Sequence, residues 1–240
     1  MGNESGTWIM RGLPLSDPRC LKSPEELTAD INRVGFLPLF RNEIPGFSAE
    51  EFTDAAAWWS GDQSRDPWEW REILARSGKV VYGKFFAKKA GFLSLEWLPY
   101  FVNYRRNGYD FDALWDDEKA SFRQKKIMDL FETEPELFSN DLKAKAGFGK
   151  EGDKNFEGTV TGLQMSLYLC VRDFRQRTNK AGAPYGWPIA VYSTPERIWG
   201  SDAVASAYAE DPKISGERIY RHVMELYDIR NEKALRSLLS

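Results

Sequence analysis

The chain has 240 residues and a formal net charge of −3, with 42% hydrophobic and 29% charged residues. That length allows a substantial core, and the charge excludes a generic polyanion binder, so any nucleic-acid contact must come from a local basic patch. Cys20 and Cys170 are too few for a disulfide framework and point to a reducing compartment. No apolar run reaches the ~18–20 residues of a membrane span, so the expectation is a cytoplasmic protein without a membrane partner.

Residues 1–24 read as an irregular lead-in with several Gly and Pro. Ser23-Pro24-Glu25-Glu26-Leu27 then starts a helix, with serine as the cap and proline in the first turn, and Gly35 stops it. Ser48-Ala49-Glu50-Glu51 has the capping-box pattern and predicts a helix through Trp58 and Trp59 to Gly61. Asp66-Pro67-Trp68-Glu69-Trp70-Arg71 repeats the cap-and-proline signal, ending at Ser77-Gly78. Lys79–Phe86 (KVVYGKFF) reads as a strand or extended segment. Ser94-Leu95-Glu96-Trp97 begins a helix to about Arg106, before an Asn107-Gly108 turn. Residues 25–118 are thus expected to be a helical N-terminal region.

From Lys119 to Glu132, Phe122, Ile127, Leu130 and Phe131 give a one-sided helix pattern. Ser139-Asn140-Asp141 caps a second, short helix. Phe156, Val160, Leu163 and Leu167 recur at helical spacing and form a third. Two β-favouring segments, Tyr168–Phe174 and Pro188–Tyr192, flank the polar turn Thr178–Pro184. Three helices followed by a hairpin with a basic tip is the winged-helix order, assigned to residues 119–200. A three-helix packing unit with a hairpin has the same pattern. Residues 201–240 read as C-terminal helices on the same body, with Ser215 and Asn231 as caps for the last two. The expected class is α+β, mostly helical.

His222 is the only histidine and has no spacing partner, so no metal site or cofactor is expected, and its expected role is structural or simply exposed. Cys170 sits in a predicted buried strand as a small apolar residue. Gly158 and Gly162 are expected to permit close packing of the third helix. Charge is uneven: Glu25–Glu72 is acidic, whereas Lys79–Arg106 and Arg172–Lys180 are basic. Arg172, Arg175, Arg177 and Lys180, on and beside the hairpin, suit contact with backbone phosphates. Lys84, Lys88 and Lys89 suit the same face, with Lys125 and Lys126 extending it. A solvated hairpin with no ligand is the competing reading. In the segment from Trp58 to Arg71, the rings of Trp58, Trp59, Trp68 and Trp70 are candidates for stacking on a base. Asp62, Asp66 and Glu69 are candidate catalytic carboxylates, or simply caps in a helix–loop–helix core.

With Trp68-Glu69-Trp70-Arg71, Lys79–Phe92 and Lys119–Trp199 in that order, residues 25–200 resemble the winged-helix DNA glycosylases of the AlkZ/YcaQ type. The chain looks like a shortened and distant relative. The resemblance implies a nucleic-acid-related ancestry and double-stranded DNA as a partner. Two departures argue against alkylpurine excision. Where that family carries a glutamine motif, this chain reads Gly35-Phe36-Leu37-Pro38-Leu39-Phe40. Where it carries Arg-Gly-Thr-Leu-His, this chain reads Lys88-Lys89-Ala90-Gly91-Phe92. Three functions therefore stay open. The first is a DNA-binding or lesion-associated protein without the parent catalysis. The second is a divergent hydrolase or glycosylase using the Trp-segment carboxylates. The third is a protein-binding winged helix, which requires an exposed apolar patch on the third helix.

Overall fold

A computed structural model describes residues 9–240, so the first eight residues of the expected lead-in lie outside it. Helix α1 (Pro24–Val34) begins where Ser23 accepts from the Glu26 N–H, with Pro24 in its first turn. It ends at Gly35, whose φ of 85° and the Trp97 ring packed against it leave no room for a side chain. Strand β1 (Phe36–Pro38) follows directly.

The helix expected over residues 48–61 is replaced by two 3₁₀ turns, Glu50–Phe52 and Ala55–Ala57. Tertiary pairing overrides the local signal. The Ala49 and Glu50 N–H groups donate to the Pro38 and Leu39 carbonyls, and the Phe52 carbonyl accepts from Leu21 N–H. Helix α2 (Pro67–Ser77) then starts at Asp66 as expected. The expected strand is β2 (Val80–Phe86), but β3 (Lys89–Ser94) follows at once through the two-residue turn Ala87-Lys88. Both turn residues have positive φ, 47° and 65°, as a tight hairpin requires. Ser94 therefore ends a strand instead of capping a helix, and α3 (Leu98–Arg106) begins four residues later. The N-terminal region is mixed rather than mainly helical.

Short helix α4 (Phe111–Asp116) leads into α5 (Phe122–Met128) and α6 (Leu130–Thr133), which divide the expected single helix. Ile127 and Phe131 are buried, but Phe122 faces solvent. A two-residue strand, β4 (Leu137–Phe138), precedes α7 (Ser139–Lys145) and α8 (Phe156–Met165). The expected apolar face of α8 is fully buried at Phe156, Val160 and Leu163, and Leu167 just beyond it is buried too. The hairpin is longer than expected: β5 (Cys170–Thr178) and β6 (Pro184–Ser193) flank a turn in which Asn179 accepts from the Ala181 and Ala183 N–H groups. Helices α9 (Pro195–Trp199), α10 (Ser201–Val204), α11 (Pro212–Leu226) and α12 (Glu232–Leu239) complete the chain. Asp211, not Ser215, caps α11; Ser215 is buried within it, accepting from Asn103 and donating to Glu210. Asn231 caps α12 as expected.

All six strands form one antiparallel sheet in the order β1-β3-β2-β5-β6-β4, an α+β architecture. The C-terminal hairpin joins the N-terminal strands where β2 meets β5, at Tyr82 and Val171. One core runs through both halves, from Leu27 and Phe36 to Leu163, Val223 and Leu239. His222 is structural: its Nε2 meets the Val34 carbonyl at 2.9 Å and its ring stacks on Trp97. Among the described residues no helix is long and apolar enough to cross a membrane.

Candidate nucleic-acid interface

A groove of about 1210 Å³ lies along the sheet where the two strand sets meet. Its floor is aromatic because alternate residues of each strand point to the same side. Tyr82 and Phe86 come from β2, Phe174 from β5 and Tyr192 from β6. Phe40 and Trp68 continue this surface, 6.3 Å apart between ring centroids. The C-terminal helix α12 supplies one wall through Ala234, Ser237 and Leu238.

Charge around the groove is one-sided. Arg11, Arg41, Arg71, Lys84, Lys88 and Lys89 line it, against Glu43 and Glu50. Glu50 is already engaged, since its carboxylate accepts from the Arg11 and Arg41 backbone N–H groups. The β2–β3 turn carries Lys88 and Lys89 to the rim, and the Lys88 backbone N–H contacts Met165 sulfur at 3.2 Å. Lys84 is held from below, where its N–H donates to Gln164 Oε1 at 3.0 Å.

Arg71 occupies the floor. Its guanidinium lies 3.8 Å from the Trp68 ring centroid and 4.1 Å from that of Phe174, in contact with both rings. One nitrogen pairs with Glu72 at 3.0 Å, and Nε has no hydrogen-bond partner. Burial raises the Glu72 carboxyl above its usual range, an effect the neighbouring Arg71 opposes. Tyr82, also beside Arg71, and Tyr192 are both pushed up to about 12 by desolvation.

The four tryptophans have different surroundings. Trp58 is buried and donates to Thr53; Trp70 is buried in the core, its Nε1 unpartnered. Trp59 is largely exposed at a positive φ of 60°, and of the four only Trp68 lines the groove. The three carboxylates do not line it either. Asp66 is wholly buried and accepts from the Trp59, Gly61 and Trp68 N–H groups. Asp62 caps a surface turn, where Ser64 holds its carboxyl below the usual range. Glu69 lies in the first turn of α2.

The hairpin cations are largely tied down. Arg172 donates to the Ala75 and Arg76 carbonyls, Arg175 pairs with Glu136 and Asp173, and Arg177 pairs with Asp141. Lys180 sits exposed at the tip, and on β6 Tyr185 is exposed and Trp187 is 90% exposed. Lys125 and Lys126 pair with Asp129 and Asp153. Helix α8 contains no lysine or arginine, and its less buried positions are Glu157, Gly158, Gly162 and Met165. A side chain at Gly162 would meet open space and one at Gly158 would run first into the side chain of Asn155, at the start of the same helix, so neither glycine is kept small by a neighbouring element pressed against it.

Sequence reasoning did not find Arg11, Arg41, Tyr82, Gln164 or Phe174 as groove residues. The signal for Tyr82 and Phe174 was present as alternation along the strands; Gln164 lies on α8, and Arg11 and Arg41 arrive from irregular segments. Cys170 is buried, its thiol raised by desolvation, and both cysteines are free. Within the stretch Gly35–Phe40, Pro38 at the end of β1 and Phe40 beyond it line the groove, neither able to hold a water by hydrogen bonding through its side chain.

No curated protein and no solved structure matches the chain. A family model described as AlkZ related matches residues 21–240, which takes in both strand sets, the groove and α12. The chain belongs to the AlkZ-related family.

Proposed function

We propose that this protein binds double-stranded DNA in a DNA-lesion-associated role, through the groove rather than through the hairpin alone, and without the excision chemistry of the glycosylases it resembles. Residues 119–200 are read as the winged helix of that scaffold. The order α5–α6, β4, α7, α8, β5, β6, with β4 pairing β6, supports this reading. Its third helix carries no cation, so the winged helix here serves as a wall of the binding site. The observation that carries the function is the groove itself: six basic residues against two acidic ones around an aromatic floor. Phosphates follow the cations, and the rings receive whatever base is presented to them. Lys84, Lys88 and Lys89 are the principal phosphate contacts. Lys180 adds a contact from the hairpin tip, and Arg172, Arg175 and Arg177 serve mainly to brace the hairpin. The two free thiols fit a reducing, cytoplasmic setting.

Fluorescence anisotropy with a labelled duplex at two salt concentrations tests the assignment. Replacing Lys84, Lys88 and Lys89 together by alanine should weaken binding about 10- to 100-fold and flatten its salt dependence. Alanine at Arg175 and Arg177 should change affinity by less than about threefold, because each is already paired. Equal losses from the two variants would move the interface back to the hairpin, and no binding at low salt would remove the function.

A further inference from the structure

We propose that a second pocket, turned away from the groove, binds a terminal phosphate, a phosphomonoester, between the guanidinium groups of Arg172 and Arg197. The two sites share no lining residue, so the pocket stands whether or not the groove takes DNA.

The pocket has a volume of about 320 Å³ and is lined by Pro135, Glu136, Arg172, Ser193, Arg197 and Ile198. Val171 and Tyr192 are cross-strand partners on β5 and β6, and both line the groove. Successive residues of a strand point to opposite faces, so Arg172 and Ser193 turn away from it. The volume is at the small end of ligand sites, which suits a phosphate on a small carrier.

Both arginines are fixed by main-chain carbonyls. Arg172 Nη1 donates to the Ala75 and Arg76 carbonyls at 3.3 and 2.8 Å, in the last turn of α2. Arg197 donates from Nε and Nη2 to the Phe131 carbonyl, and from Nη2 to that of Glu132, at 2.7 to 3.0 Å. Among the described residues, Arg172 Nε and Nη2 and Arg197 Nη1 have no hydrogen-bond partner. The Nε–Nη2 edge of Arg172 is the two-donor fork that takes two oxygens of a phosphate, and Arg197 adds a third donor.

Charge selects the kind of phosphate. Arg76 pairs with Asp173, and Arg175 pairs with Glu136 and Asp173. Those two carboxylates are thus offset by two arginines, whereas Arg172 and Arg197 have carbonyls as partners and no carboxylate. The local excess of two positive charges matches a phosphomonoester, which carries about −1.5 to −2 near neutral pH. A backbone phosphodiester brings only a single charge. The Ser193 hydroxyl donates to the Pro135 carbonyl at 2.6 Å, so the arginines supply the donors. The same terminal phosphate arrives either on a small ester in solution or at the 5′ end of a broken DNA strand.

Calorimetric titration of the full chain with inorganic phosphate and with dimethyl phosphate tests the charge match. Inorganic phosphate should bind at least about tenfold more tightly, and equal affinities overturn the assignment. Arg172→Lys keeps the charge but loses the fork, and Arg197→Gln removes the second cation; each should weaken phosphate binding at least about tenfold. If the Arg172 variant does not fold, Arg197→Gln, at an exposed position, still decides. Replacing Lys84, Lys88 and Lys89 by alanine should change phosphate affinity by less than about threefold. A loss confined to that lysine variant places the phosphate in the groove and overturns the pocket. A duplex nicked with a 5′-phosphate or a 5′-hydroxyl separates the sources. At least about tenfold tighter binding of the phosphorylated nick, removed by Arg197→Gln, assigns the pocket to DNA ends; inorganic phosphate binding without that gain assigns it to free esters. Duplex binding with no affinity for inorganic phosphate and no gain at the phosphorylated nick overturns this site and leaves the groove standing.

Discussion

Asp66 shows how little of a residue's role is visible in its type. Its carboxylate accepts from three main-chain N–H groups, those of Trp59 and Trp68 at 3.1 and 2.9 Å and that of Gly61 at 2.9 Å. It thus caps α2 and also closes the tryptophan loop. Asp66→Ala would strand all three donors in a buried site and should cost about 2–4 kcal/mol, read from urea unfolding. A loss below about 0.5 kcal/mol would mean that the carboxylate is held for something other than structure. At the groove floor the two raised tyrosines give a pH dependence. Burial pushes Tyr82 and Tyr192 up to about 12 in the folded chain, against 10.0 when unperturbed. Between those values the folded chain holds a proton that the unfolded chain has released, so stability falls as pH rises from 10 to 12. Each contributes up to about 2–3 kcal/mol to that fall. Tyr82→Phe and Tyr192→Phe should each flatten the alkaline slope of the denaturant midpoint; an unchanged slope in both would show that neither ring is desolvated in solution.

At the scale of elements, the turn between β2 and β3 sets two demands against each other. Ala87 and Lys88 both sit at positive φ, where a Cβ is disfavoured and Asn-Gly is the favoured pair. The strained turn holds Lys88 and Lys89 at the rim of the groove. Replacing Ala87-Lys88 by Asn-Gly should therefore raise stability by about 1 kcal/mol while weakening DNA binding several-fold, the trade expected where strain serves a site. A thermal melt and an anisotropy titration on one variant check both signs, and a gain in stability without loss of affinity would free Lys88 from its role. The same turn explains why β3 was illegible. It has no Gly or Asn to mark it, and Ala90 and Gly91 are weak strand formers. The cap-and-proline starts of α1 and α2, and the amphipathic face of α8, were legible because those signals are local. The segment from Ser48 to Gly61 was misread because its Ala49 and Glu50 N–H groups find partners in Pro38 and Leu39, at and just after the end of β1, a pairing that no local pattern encodes. Half of the candidate site was likewise readable: Lys84, Lys88, Lys89 and Trp68 stood out by composition. Arg71 also lay within the singled-out segment, but its clamp between Trp68 and Phe174 joins residues about a hundred positions apart.

For the molecule as a whole, the question is whether residues 119–200 are a unit of their own. Its packing says otherwise. Helix α8 lies against β2, through Gln164 beneath Lys84, and Arg76 at the end of α2 pairs with Asp173 on β5. Trp199 donates to the Gly78 carbonyl. Arg105 on α3 reaches the Met165 carbonyl at the end of α8 and the Leu239 carbonyl at the end of α12, so one half-buried guanidinium ties three helices together. Excising residues 119–200 would expose the β2-facing side of β5 and the inner face of α8, apolar area that a segment of this size lacks the core to replace. We expect that fragment to give poorly dispersed amide resonances and no cooperative melt, whereas the full chain unfolds in one transition. It should also bind DNA at least about tenfold more weakly, since Lys84, Lys88, Lys89 and Trp68 lie outside it. A fragment that melts cooperatively and binds DNA with the affinity of the full chain would make residues 119–200 autonomous and the groove incidental.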